Sequence, residues 1–220
     1  MYSVAVIGAD GAGKTTMTRM LQEENKLPFK YLYMGINIES SNMALPTSRL
    51  LALARRRRPQ KQSQSELLDP TLRYQKYDRR KPIVELKAGV RLIHRLLEEW
   101  YRQILSWTYQ LQGYIVLYDR HFIFDFGFNS INKALPFGEQ LHRWCLKHLY
   151  PRPKLVIYLD APSEVLYARK REWSVKYLES RRQIFMQQGK QMSNFVQIDA
   201  TQPFDQVYQE VLMHIMHQYK

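Results

Sequence analysis

The sequence predicts an α/β protein whose five-stranded parallel sheet is covered by helices on both faces. Two observations carry this prediction. Short apolar runs alternate along the chain with longer segments of helical period, and the first run leads through a glycine-rich turn straight into the first helical segment. The runs are apolar at nearly every position, as buried parallel strands are, rather than at every second position.

Tyr2–Ile7 is such a run and ends at Gly8. Thr15–Glu24 follows with Met17, Met20 and Leu21 on one helical face. Tyr31–Met34 reads as a second strand. From Leu45 to Pro82 the pattern breaks: Pro46, Pro59, Pro70 and Pro82 surround Arg55–Arg58 and a Gln/Ser stretch, which predicts a basic, partly helical, mobile insertion. Ile83–Gln112 has the period of a long amphipathic helix, with Leu86, Val90, Ile93, Leu96 and Leu97 on the apolar stripe and Gly113 as its stop. Tyr114–Tyr118 is the third strand, followed by Asp119-Arg120-His121, and Pro136–Tyr150 reads as a helix. Leu155–Leu159 is the fourth strand. A helix then runs from Ser163 to about Arg171, with Ser163 as its expected N-cap and Glu164 in its first turn. Phe195–Ile198 is the last strand and Phe204–Tyr219 the closing helix.

The chain of 220 residues fits one domain, 1–220, with the insertion at 45–82 inside it. Its 45% hydrophobic and 24% charged residues are ordinary for a globular protein. No apolar run approaches the roughly 18–20 residues that span a bilayer. The first residues show no basic leader or small-residue cleavage site, so a cytoplasmic location is expected. A single cysteine, Cys145, excludes an internal disulfide framework and gives no support to a zinc site. The formal charge of +13 is concentrated, with fifteen Lys/Arg against six Asp/Glu between Arg49 and Arg102. Such a patch attracts anions: phosphorylated metabolites first, with nucleic acid and acidic membrane as alternatives.

Gly8-Ala9-Asp10-Gly11-Ala12-Gly13-Lys14-Thr15 satisfies the pattern G-x-x-x-x-G-K-[ST] between a strand and a helix, as a P-loop requires. Glycines let several backbone N–H groups converge on phosphate oxygens, and the helix beginning at Gly13 adds its positive end. Lys14 is then expected at the β- and γ-phosphates of ATP, with the Thr15 hydroxyl on Mg²⁺. The ATP-binding set is Gly8, Asp10, Gly11, Ala12, Gly13, Lys14, Thr15 and Thr16. The fold is thereby expected to be the three-layer P-loop NTPase sandwich.

With Asp119-Arg120, the run Tyr158-Leu159-Asp160-Ala161-Pro162-Ser163-Glu164-Val165…Arg169 and the terminal Ile198-Asp199-Ala200, the chain resembles the thymidylate kinase branch of the nucleoside monophosphate kinases. More narrowly, it looks like the Arg-rich bacterial thymidylate-kinase-like proteins. The resemblance implies that Arg120 grips the acceptor's phosphate, a task suited to a two-pronged guanidinium. It implies that Asp119 holds Mg²⁺ or its water, and that Asp10 faces the acceptor sugar. Arg169–Lys190 would be a short Arg-rich lid whose arginine stabilises the transferring phosphoryl. The loop itself offers no arginine between Ala9 and Ala12, so Arg169 and Arg171 are the candidates, with Arg181 and Arg182 behind them. The resemblance also implies a homodimer.

On the acceptor side, Arg91 aligns with the family's base-reading arginine. The family's aromatic stacker then falls on Lys87, its serine on Phe124 and its glutamine on Asn129. Asp125 is a candidate ligand or base for an acceptor hydroxyl, in a segment whose aromatic residues also suit a core. The expected function is transfer of the ATP γ-phosphoryl to a small phosphorylated acceptor, a pyrimidine (deoxy)nucleotide. One alternative is a kinase of the same fold acting on a nucleoside or sugar, where Asp125, Asp119 or Glu39 would serve as base. Another is a nucleotide-dependent protein that binds nucleic acid or membrane through Arg55–Arg58.

Overall fold

The computed structural model describes residues 2–24, 26–35, 45, 82–125 and 137–219, and of residues 82–87, 125 and 137 the backbone alone. Nearly all of the expected insertion, with Arg55–Arg58, lies outside the described residues, as do Glu39, Asn129 and the side chains of Leu86, Lys87 and Asp125. The elements in chain order are β1 (Tyr2–Ile7), α1 (Lys14–Glu23), β2 (Phe29–Tyr33), α2 (Pro82–Leu111), β3 (Ile115–Asp119), α3 (Phe122–Asp125), α4 (Phe137–His148), β4 (Leu155–Asp160), α5 (Ser163–Arg169), α6 (Val175–Gly189), β5 (Phe195–Asp199) and α7 (Phe204–Tyr219).

The five strands are all parallel and lie in the order β2-β3-β1-β4-β5. Alternation along β1 sorts the core into two faces. Val4 and Val6 pack with Met17 and Leu21 of α1 and Val207, Val211 and Ile215 of α7. Ala5 and Ile7 point the other way, towards Cys145 and Leu146 of α4 and Phe185 of α6. Helices therefore cover both faces. Each fully buried Val, Ile or Leu contributes about 1.5–3 kcal/mol, which is why the sheet reads so plainly as apolar runs.

Register sets where the site must be. Val6 lies opposite Asp119 on one side and Ile157 on the other, while Asp160 lies opposite Asp199. The carboxyl ends of β1, β3, β4 and β5 thus form one edge. The chain leaves β1 towards β2 on one side and leaves β4 towards β5 on the other, and ligands of open parallel sheets bind where the order reverses in this way.

Two local expectations are corrected. Ser163 is not the N-cap of α5: Pro162, with φ −53°, holds that position without a side-chain cap, and Leu166 N–H donates to the Pro162 carbonyl (3.0 Å). The proline ring fixes φ near the helical value, so the helix starts one residue after it. The second correction concerns α2. Val90, Ile93 and Leu97, with Ile104 and Leu111, are exposed, whereas Glu98, Glu99, Arg102, Gln103 and Ser106 are buried. The inward face is mixed: Leu96, expected on the stripe, packs with Trp100 and Tyr109 against the core, and buried polar groups beside them bond to neighbouring elements. Arg102 Nη1 donates to the Gly35 carbonyl (2.7 Å), His142 Nε2 pairs with Glu99 (2.9 Å), and the Ser106 and Tyr118 hydroxyls meet at 2.5 Å.

Candidate active site

The loop between β1 and α1 is held tight by its glycines. A side chain at Gly8 (φ 153°) would put its Cβ 2.6 Å from the Leu159 carbonyl oxygen, and one at Gly11 (φ 92°) would sit 2.7 Å from that of Leu166. The loop is thereby wedged between β4 and α5. Ala12 N–H closes the turn on the Ala9 carbonyl (3.2 Å). At Gly13 α1 begins with no side-chain cap, which leaves its first N–H groups for an anion. Lys14, 5% exposed, donates from Nζ to the Ala9 carbonyl across the loop (2.7 Å). Burial, with a smaller contribution from the Arg120 charge, pulls its pKa down to about 7. Thr15 and Thr16 lie exposed in the first turn of α1.

Asp119, the last residue of β3, is 1% exposed. Its Oδ2 accepts from the Thr15 hydroxyl (2.6 Å) and the Tyr31 hydroxyl (3.0 Å), while Oδ1 is buried with no hydrogen-bond partner among the described residues. Burial, then the Asp119 charge, pushes the Tyr31 hydroxyl pKa up. Sequence reasoning placed Tyr31 in a strand but gave it no role. Alternation along β2 puts Tyr31 and Tyr33 on one face beside β3, and that was the available signal.

Arg120 adopts φ 66°, and its N–H donates to the Val6 carbonyl (3.1 Å). This turn points its guanidinium back over the loop, where Nη2 pairs with Asp10 Oδ1. Burial raises the Asp10 pKa, but the charges of Arg120 and Lys14 outweigh it and hold the carboxyl down at about 2. The Arg120 side chain also packs, with Tyr33, around Gly35. Arg102, missed by the sequence reading, holds that glycine from below. His121 is 1% exposed, packs at a tilt against Phe122 (4.5 Å between centroids) and Tyr118 (5.2 Å), and is kept neutral by burial, which takes its pKa down to about 3. A narrow crevice beneath the loop is lined by Ile7, Gly8, Arg120, His121, Phe124 and Phe185. Phe124 is core, 2% exposed.

The expected lid, 169–190, holds a helix whose inner face belongs to the core, with Leu178 in one cluster and Phe185 in the other. Arg169 Nη2 donates to the Ala200 carbonyl (2.9 Å), and Arg171 is exposed. Arg181 is buried above the Phe185 ring (4.8 Å), and its charge acts on both Asp10 and Lys14. Arg182 makes a two-pronged bond to Asp160. The fold therefore gathers Asp10, Lys14, Thr15, Asp119, Arg120 and Arg181 at one edge of the sheet. Arg91 lies exposed on α2.

Among the described residues no group of three or more His, Cys, Asp and Glu is placed to hold a metal ion by itself. A Mg²⁺ ion is commonly held by one or two protein oxygens plus substrate phosphates and water, and the Thr15 hydroxyl with the orphan Asp119 Oδ1 fits that need. No helix of the described residues is long and apolar enough to cross a membrane. Comparison with known proteins finds no matching family model and no similar curated protein.

Proposed function

We propose that the chain is an ATP-dependent phosphotransferase of the P-loop fold, a thymidylate-like nucleoside monophosphate kinase that moves the γ-phosphoryl to a pyrimidine (deoxy)nucleotide. The observation that carries this reading is the Thr15–Asp119 pair at the mouth of the glycine loop, with Asp119 Oδ1 buried and unpartnered. A buried carboxylate oxygen without a hydrogen bond is expensive, roughly 1–3 kcal/mol, unless a cation completes it. Mg²⁺ would supply charge neutralisation between the phosphates, held by Thr15 and Asp119.

Each remaining step falls to the chain's own groups. The loop N–H groups orient the donor phosphates, and Lys14 exchanges the Ala9 carbonyl for them. An incoming acceptor phosphate competes with Asp10 for the Arg120 guanidinium, which leaves the Asp10 carboxylate to accept from an acceptor hydroxyl. An acceptor phosphate oxygen then bonds the γ-phosphorus, the bond to the β–γ bridging oxygen breaks, and ADP leaves with the electron pair. A phosphate acceptor is already a nucleophile, so no strong base is needed and positioning dominates. The homodimer implied by the resemblance and the cytoplasmic location expected from the sequence belong to the same proposal.

The test is ADP release across dTMP, dUMP, dCMP, thymidine and simple sugars. Stimulation by a nucleoside monophosphate supports the reading, and stimulation only by thymidine or a sugar shifts it to a kinase of an unphosphorylated acceptor. If nothing stimulates ADP release above background hydrolysis, both kinase readings fall. Arg120→Ala should raise KM for the phosphorylated acceptor far more than for ATP; equal effects on both would contradict its assignment.

A further inference from the structure

Asp160 ends β4 within the run Tyr158-Leu159-Asp160-Ala161-Pro162, and neither phosphate binding nor the acceptor grip gives it a task. Its carboxylate, on a residue 8% exposed, accepts from the Tyr158 hydroxyl (2.8 Å), Arg182 Nε (2.8 Å), Arg182 Nη2 (2.9 Å) and Gln197 Nε2 (3.1 Å). Arg182 also gives Nη1 to Glu179 (2.9 Å). A planar fork on a carboxylate fixes rotation as well as distance. Because Arg182 lies on α6, the fork sets the rotation of that helix against the end of β4.

The next residue back, Arg181, is 7% exposed, and its guanidinium lies 4.8 Å above the ring of Phe185, one turn further along. Phe185 in turn lines the crevice with Gly8 and Arg120. Arg181 thus sits over a ring that borders the phosphate loop, and its charge is the smallest of those that hold the Asp10 carboxyl down.

We propose that Asp160 is a positioning residue for phosphoryl transfer: its two-pronged hold on Arg182 fixes α6 so that Arg181 stays seated over Phe185, beside the crevice that Gly8 and Arg120 line. This rests on the phosphotransferase reading above and deepens it, since it assigns charge stabilisation to Arg181 ahead of Arg169 and Arg171. A cation held in place before the reaction needs no ordering at the moment charge develops, which is where electrostatic catalysis gains most.

The experiment uses the full chain as wild type, Asp160→Asn, Arg181→Gln and the double variant. Two quantities are read: affinity for tripolyphosphate with Mg²⁺ by calorimetry, and kcat and KM with the best acceptor. Tripolyphosphate fills the loop whatever the acceptor is. Each single substitution should weaken tripolyphosphate by about tenfold. Each should raise the ATP KM by about the same factor and lower kcat as well, and the double should lose no more than Arg181→Gln alone. A residue that only braces the fold would lower the melting temperature and multiply its effect with that of Arg181→Gln. Losses that multiply, or full affinity and kcat in Asp160→Asn, overturn the inference. Should Asp160→Asn fail to fold, Arg182→Lys keeps the charge, loses the fork and is read in the same cycle. A wild type that does not bind tripolyphosphate removes the phosphate-loop reading and this inference together. A wild type that binds it but phosphorylates no acceptor removes the kinase alone, and the cycle of affinities still decides for or against Asp160.

Discussion

Gly35 offers the sharpest test of the proposed acceptor grip. Its backbone is not in the left-handed region, so alanine there meets no conformational penalty and acts through space alone. The added methyl would lie 2.5 Å from the Tyr33 hydroxyl and 2.8 Å from Arg120 Cδ. Ordinary contact begins near 3.4 Å, so the methyl needs about 0.9 Å more from the one and about 0.6 Å more from the other. Tyr33 is 4% exposed and cannot withdraw, while the Arg120 side chain is 27% exposed and can. Residue 35 is therefore pushed off Tyr33 towards Arg120, the guanidinium moves, and its pairing with Asp10 loosens. Overpacking of this kind destabilises by about 1–3 kcal/mol, and a misplacement near 1 Å at a binding group can cost up to about a hundredfold. Gly35→Ala is thus expected to raise the acceptor KM tenfold to a hundredfold (about 1.4 kcal/mol per tenfold) and leave the ATP KM within about twofold. A coupled ADP-release assay with each substrate varied in turn measures both. An unchanged acceptor KM, or equal rises for the two substrates, would refute the claim that Gly35 seats Arg120.

Two further outcomes follow from the same edge of the sheet. His121 has its folded pKa lowered to about 3 from an ordinary 6.5, so the unfolded chain binds more protons between those values. Its stabilising neutral form is fully present above pH 6.5 and is lost as pH falls towards 3. His121→Phe keeps the ring, removes a buried Nε2 that has no partner, and should narrow the stability difference between pH 7 and pH 5 in urea titrations; a difference as large as in wild type counts against it. Asp119→Asn retains an acceptor for Thr15 and Tyr31 but loses the charge, so the Mg²⁺ concentration for half-maximal ADP release should rise by about tenfold or more. An unaltered Mg²⁺ requirement would remove Asp119 from the proposed metal site.

The sheet was legible because buried strands must be apolar at both faces, and all five were found within two residues of their ends. The glycine loop was legible because its geometry tolerates few alternatives at Gly8 and Gly11. What the sequence hid was polar burial. A hydrophobic stripe predicts the inward face of a helix only when that face is wholly apolar, and on α2 the buried pairings of Arg102, Glu99 and Ser106 share it with Leu96 and turn Val90, Ile93 and Leu97 outward. The same blindness covered Tyr31 and Arg102, whose partners lie 88 and 67 residues away along the chain. Among the four arginines of the expected lid, spacing alone does not separate Arg181, seated on an aromatic ring, from Arg182, its neighbour in an ion pair.

The left-handed backbone of Arg120 reaches beyond its own contacts. For a residue with a Cβ that conformation is strained by about 1–2 kcal/mol, which glycine escapes. A library screened for heat resistance alone should therefore enrich glycine at position 120, and every such survivor would have discarded the guanidinium. A library screened for turnover should keep arginine and tolerate the lower melting point. The identity of this one residue among survivors would report which pressure a laboratory lineage had been under, without any assay of the survivors themselves.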